Sequence, residues 1–153
     1  MRVKIRAAGP SDAEPAAALY LRSRQAAALA QTIPPLVHSD DDVRDWIADF
    51  VIPKLEAWLA ESADGEIVGV LVLEDEWIDQ LYVDPGFAGM GLGTQLLDFA
   101  KRARPQGLRL WTFVSNAGAQ RFYERNGFKE VERTDGSRNE ERAPDIQYKF
   151  LPT

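Results

Sequence analysis

The sequence contains no cysteine. That excludes disulfides, thiolate metal sites and a cysteine acyl-enzyme. It contains one histidine, His38, too few for a histidine metal centre and a poor start for a Ser-His-Asp triad. No metal is expected. No apolar run approaches the roughly 20 residues that cross a bilayer. Met1 to Arg6 alternates charge with β-branched side chains and lacks the apolar stretch of a signal peptide. The expectation is a cytoplasmic protein without membrane contact. Basic residues are in deficit, 18 Lys and Arg against 24 Asp and Glu, leaving a net charge of −6. Such a surface repels nucleic acid and anionic membranes, so neither is expected as a partner.

What remains is enough for one domain over residues 1–153, since 45% of the chain is hydrophobic. Residues 2–7 read as a strand. Ser11 to Glu14 reads as a capping box before an Ala-rich helix that runs to about Ala28. Ser39 caps a second helix with Val43, Trp46, Ile47 and Phe50 on one face, ended or kinked by Pro53. Residues 56–60 and 67–73 form a hairpin across Asp64-Gly65. Residues 76–83 are the next strand. Residues 91–104 form a helix burying Leu92, Leu96, Phe99 and Ala103. Then come a strand over 108–114, a short helix from Asn116, and strands over 128–134 and 146–151.

The most informative stretch is the strand ending Leu81-Tyr82-Val83 and the glycine-rich turn that follows it, Ala88-Gly89-Met90-Gly91-Leu92-Gly93-Thr94. The turn opens directly onto a helix. Glycine lets backbone approach a ligand closely, and the first amides of a helix lack intrahelical partners, so this is a phosphate cradle. A Walker loop fails because Gly93 is followed by Thr94 and Gln95 instead of Lys and Ser or Thr. A dinucleotide fingerprint fails on spacing and on the missing acidic strand end. A coenzyme A pyrophosphate loop fits, and so does a flexible helix entry.

The segment Asn116 to Phe128 separates these. Val83, Pro85, Gly91 and Gly93, followed by Asn116, Ala119, Phe122, Tyr123, Gly127 and Phe128, resemble the two motifs of the GNAT superfamily of N-acetyltransferases, in the right order and joined by a helix and a strand. The position that usually holds Arg or Gln before the glycines is Ala88, which leaves that contact to backbone amides. The resemblance covers nearly the whole chain. It implies an α/β (α+β) fold, a mixed and mostly antiparallel sheet of about six to seven strands with about four helices. It also implies acetyl-coenzyme A held in a V-shaped opening between strands 76–83 and 108–114, and direct acetyl transfer to a primary amine of a small molecule, an amino-acid-like metabolite or a peptide. Dimers are common in the family, and by that analogy a homodimer here would use the last two strands.

On that resemblance Leu81, Tyr82 and Val83 bind the pantetheine arm and acetyl carbonyl through backbone amides. Ala88 to Thr94 bind the pyrophosphate, and Asn116, Ala119 and Phe122 complete the cofactor site. Tyr123 serves as general acid toward the departing thiolate. Glu76 and Asp79 are the candidates for general base. Simple strand alternation places Asp79 with Leu81 and Val83, and Glu76 with Tyr82. His38 and Asp40 to Asp42 stand on the connection that forms one wall of the family's acceptor site. Trp46, Trp58 and Trp77 read as core. Two further readings stay open: a catalytically silent acyl-coenzyme A-binding sensor, and a nucleotide-binding domain.

Overall fold

In the computed structural model, which describes residues 1–152, seven strands form one sheet in the order β1-β2-β3-β4-β5-β7-β6. They are β1 (Lys4–Ala7), β2 (Glu56–Glu61), β3 (Ile67–Glu74), β4 (Trp77–Val83), β5 (Leu108–Phe113), β6 (Lys129–Thr134) and β7 (Asp145–Phe150). All neighbours pair antiparallel except β4 and β5. Helices α1 (Ala13–Leu29) and α2 (Asp40–Trp46), with the one-turn α3 (Ile52–Lys54), cover one face. Helices α4 (Leu92–Ala103) and α5 (Ala117–Arg125) cover the other. This is the expected order of elements.

Two apolar clusters follow from that layering. Leu71, Leu73, Leu92, Leu96, Leu108 and Ile146 pack between the sheet and α4–α5. Leu19, Tyr20, Val43, Ile47, Leu59 and Val70 pack between the sheet and α1–α2. Each such leucine or valine contributes about 1.5–3 kcal/mol by leaving water. In α4 the fully buried positions are Leu92, Leu96, Leu97 and Ala100, whereas Phe99 and Ala103 lie at the flank. The helix is thus rotated slightly from the expected face.

Two local expectations give way to tertiary contacts. Ser11 does not cap α1. Instead Asp12 accepts the Gly9 amide at 2.7 Å and takes a two-pronged ion pair from Arg6 at 2.9 Å, tying α1 to β1. Beyond α2, residues Ile47–Val51 form a π-helical turn. Pro53 has no N–H to give to the Asp49 carbonyl, and the wider turn sits just before it. The extra residue per turn moves Val51 into the core at 3% exposure and leaves Phe50 outside at 41%.

The C-terminus of α5 is closed as the sequence suggests. Phe128 N–H bonds the Tyr123 carbonyl at 3.0 Å and Gly127 N–H bonds that of Glu124 at 3.2 Å, with Gly127 at φ +91°. A side chain there would be strained and would meet the Phe150 ring at 3.2 Å. Gly127→Ala is expected to cost about 1–2 kcal/mol, read as a lower urea midpoint with an unchanged slope.

Candidate active site

Strands β4 and β5 touch at one register position, Trp77 opposite Arg109, and there Arg109 N–H bonds the Glu76 carbonyl at 2.8 Å. Beyond it they part. The register of β4 against β3 slips at the same place: Leu73 faces Ile78 and Val72 faces Gln80, so Asp79 is an extra, bulged residue. A bulge bends its strand and re-aims side chains. The opening is a cleft of about 450 Å³ lined by Asp79, Leu81, Val83, Leu110, Asn116 and Tyr123, among others.

The bulge corrects the alternation expected from the sequence. Ile78 joins Leu81 and Val83 against the α4–α5 cluster, while Tyr82 packs toward α1–α2. Asp79 stands at the irregularity and lines the cleft. Glu76 does not line it. Its carboxylate is exposed and pairs with Arg109 at 3.3 Å, at the closed end of the strand pair.

Backbone polarity follows from the ladder. Asp84 N–H bonds the Val68 carbonyl of the β3 edge at 2.9 Å. Antiparallel pairing alternates, so Tyr82 also turns its amide toward β3, and Leu81 and Val83 turn theirs into the cleft. The Val83 carbonyl, pointing the same way, accepts the Ser23 hydroxyl of α1 at 3.1 Å. Of the three expected backbone donors, two are free and that of Tyr82 is spent in the sheet.

At the cleft mouth, Pro85–Phe87 makes a 3₁₀ turn and Asp84 folds back to accept the Gly86 amide at 3.0 Å. Gly89 and Gly91 adopt φ +79° and +81°, with nothing within 4 Å of where a side chain would begin. Gly91 is the N-cap of α4, and no side chain caps that end. The first helical bond is from Gln95 N–H to the Gly91 carbonyl, so the amides of Leu92, Gly93 and Thr94 point outward unpaired. A side chain at Gly93 would meet the Phe122 ring at 3.3 Å, so glycine there lets α5 lie close against this turn. Ala88 and Met90 are exposed beside it. The arrangement fits a pyrophosphate: positive φ, open space and a bare helix N-terminus coincide.

Asn116 Oδ1 caps α5 by accepting Ala119 N–H at 3.2 Å. Its Nδ2 is left to donate into the cleft, so one side chain can serve both roles. Tyr123 is 9% exposed and packs edge-on to Phe122 and Phe128, with centroids 5.2 and 5.5 Å away. Burial raises its phenol well above the ordinary value, and the neighbouring Tyr82 adds to this, so it stays protonated. The Asp79 carboxyl is pushed above the usual carboxylate range, first by desolvation against the cleft wall and also by the charge of Glu74; a hydrogen bond with Gln80 opposes them.

Four other residues of this region carry no motif: Ser23, Arg24, Gln80 and Glu141. The one available signal was Arg24, a charge on the apolar stripe Ala17, Tyr20, Leu21, Arg24 of α1. Trp46 and Trp58 join the core as expected, but Trp77 stacks on the half-exposed Trp111 at 6.3 Å and 3°. Asp40 to Asp42 lie exposed in the first turn of α2, where Ser39 caps the Asp42 amide at 3.1 Å. Among the described residues no three His, Asp or Glu side chains converge as a metal site. No helix among them is long and apolar enough to cross a membrane.

Residues 53–130, half of the chain, match the family described as Acetyltransferase (GNAT) domain. The chain belongs to that family. It is 32% identical over 94 residues to the peptidyl-lysine N-acetyltransferase YjaB of Salmonella typhimurium, covering 61% of this chain and 63% of that protein. The chain spans less than two thirds of the length of the first curated relatives it matches. The solution structure of apo YjaB from Escherichia coli superposes over all of both chains with a TM-score of 0.79 and 24% identity. The PaiA N-acetyltransferase of Thermoplasma acidophilum, solved in complex with coenzyme A, gives 0.72 with 21% identity over 99% of this chain and 100% of that one.

Proposed function

We propose that the chain is an acetyl-coenzyme A-dependent N-acetyltransferase that acts on a primary amine by direct attack in a ternary complex. One observation carries this reading: a splayed β4–β5 cleft lined by Asp79 and Tyr123 extends to Val83 and Pro85, where the chain turns toward the uncapped glycine cradle of α4. Bound acetyl-coenzyme A would supply the activated acetyl group and a thiolate leaving group. The amides of Leu92, Gly93 and Thr94 hold the pyrophosphate, with the backbone of Ala88 to Gly91 shaping the approach. The amides of Leu81 and Val83 and Asn116 Nδ2 orient the arm, and Ala119 and Phe122 pack beside it. The amine arrives as an ammonium and must lose a proton. Asp79, its carboxyl raised by desolvation and so made a stronger base than an ordinary aspartate, takes that proton directly or through water. Tyr123, held protonated by burial, gives one to the leaving sulfur.

The YjaB relative is named a peptidyl-lysine acetyltransferase, which supports including lysyl peptides among the acceptors to be tried. The first test is a thermal-shift titration. Acetyl-coenzyme A should raise the melting temperature, and ATP and NAD should not. Release of free thiol with an amine acceptor then establishes turnover. A thermal rise with no release from any amine would make the chain a silent acyl-coenzyme A binder, and a rise with ATP or NAD would make it a nucleotide-binding domain.

Ala88 gives a further prediction. It is exposed with φ −63°, a conformation open to any residue. Ala88→Arg places a guanidinium beside the uncapped amides of α4. The dissociation constant of acetyl-coenzyme A should fall by about threefold to tenfold, measured by calorimetry, and the gain should shrink in high salt.

A further inference from the structure

Beside the main cleft, and sharing Gln80 with it, lies a second cavity of about 440 Å³ between α1, α2 and the β6–β7 loop. Its lining includes Tyr20, Arg24, His38, Trp46 and Glu141. Arg24 is 6% exposed. A guanidinium so deeply placed normally makes short, forked bonds of about 2.7–2.9 Å to an anion. Here Nη1 reaches the Tyr82 hydroxyl at 3.4 Å and Nη2 reaches Glu141 Oε2 at 3.4 Å. Its Nε has no hydrogen-bond partner among the described residues. Both bonds lie at the outer limit of hydrogen bonding, and a buried cation left this poorly matched is costly.

We propose that the acceptor amine carries a carboxylate and that Arg24 is the group that holds it. This rests on the transferase reading above and names the substrate class of that site. The unpaired Nε and a neighbouring Nη form the fork that a carboxylate fills with two parallel bonds. The location is suited to the chemistry. Arg24 sits on α1 next to Ser23, which touches the β4 edge at Val83, its Nη1 reaches the Tyr82 hydroxyl at 3.4 Å, and Gln80, the residue after Asp79, lines both cavities. An amino acid laid across Tyr82 therefore meets a cation at its carboxylate end and Asp79 at its ammonium end. Glu140 is already engaged by His38 at 3.0 Å, which leaves Glu141 as the carboxylate that the ligand must share Arg24 with. A neutral amine gains nothing from Arg24 and leaves its Nε unpaired, so the site rejects it by the mechanism that rejects any ligand lacking an expected polar group.

The test compares acceptors that differ only in charge. Each L-amino acid is assayed against its carboxamide, and Nα-acetyl-lysine against Nα-acetyl-lysine amide, by thiol release from acetyl-coenzyme A with the full chain. The expected result is a preference of about tenfold or more in kcat/KM for the carboxylate form of the best acceptor, the value of one charge-assisted bond. In Arg24→Gln that ratio should fall to about one, and in Arg24→Lys, which keeps the charge but loses the fork, it should be intermediate. Equal or better use of the carboxamides by the unaltered chain overturns the proposal, as does a ratio that survives in a folded Arg24→Gln. If neither variant folds, Arg24 is a core residue and its role as a carboxylate ligand is overturned. Thermal stabilisation by acetyl-coenzyme A with no release from any acceptor defeats the transferase reading itself, an outcome distinct from release without charge preference.

Discussion

Tyr123→Phe should lower kcat about 10²–10³-fold, the range lost with a general acid, while the dissociation constant of acetyl-coenzyme A changes by less than about twofold. The two effects separate because the substitution removes one oxygen and keeps the ring. That ring packs against Phe122, Phe128 and Tyr148, at centroid distances of 5.2, 5.5 and 6.4 Å, and phenylalanine fills the same space. The cradle at Gly89 to Thr94 contains no atom of Tyr123, so pyrophosphate binding has no reason to weaken. What is lost is a donor held protonated by its apolar surroundings. Steady-state thiol release and calorimetry on the same preparation check both halves. An unchanged kcat would take Tyr123 out of the mechanism, and a parallel loss of affinity would make it a packing residue.

The parts of this molecule that were legible in the sequence are those in which local chemistry dictates local geometry. A helix N-cap such as Ser39 or Asn116, a C′ glycine such as Gly127 and a glycine-rich strand-to-helix turn each impose their conformation whatever packs around them. The order of elements was therefore readable, and the splayed strand pair was implied by the family resemblance that this order and the two motifs carry. Misreadings arose where a distant residue outweighed the local rule. The capping box read at Ser11 to Glu14 gives way to Asp12, which accepts the Gly9 amide and takes a forked ion pair from Arg6 on the adjoining strand. Phe50 leaves the core because the π-helical turn before Pro53 shifts the register of the helix by one residue.

The site shows the same division. The half we assign to the cofactor is built from glycines and helix ends, which carry a sequence signature. The half we assign to the acceptor is built from side chains on three different elements, Ser23 and Arg24 on α1, Gln80 on β4 and Glu141 after β6, and no spacing rule links them. Even on β4 itself a single bulge defeats the period-two reading. Strand alternation treats Glu76 and Asp79 as equal candidates on opposite faces. The bulge turns Asp79 into the cleft and leaves Glu76 paired with Arg109 at the closed end. Nothing in the one-dimensional pattern announces a bulge, since Ile78, Asp79 and Gln80 are compatible with a regular strand.

The choice between those two carboxylates yields the second large effect. Asp79→Asn should lower kcat/KM about 10²–10³-fold at neutral pH and recover activity as the pH rises, because the fraction of acceptor already neutral grows and a base is needed less. In the unaltered chain the activity should fall on acidification through a pKa that lies above the ordinary aspartate value, since desolvation raises the folded-state carboxyl. The same shift has a consequence for stability, with a definite sign. A carboxyl whose folded pKa exceeds its unfolded one disfavours folding once ionised. That cost is absent below the unfolded pKa, grows as the pH rises from there and is complete once the pH has passed the folded one. Asparagine carries no such cost, so Asp79→Asn should melt higher than the unaltered chain at pH 7, and the difference should vanish at low pH. Glu76→Gln, paired outside the cleft, should show neither effect. A pH-rate profile and a melting series on the two variants decide the matter. A pH-dependent loss in Glu76→Gln would move the base to Glu76, and a loss in Asp79→Asn that stays constant from acid to alkaline pH would make Asp79 an orienting group that accepts no proton.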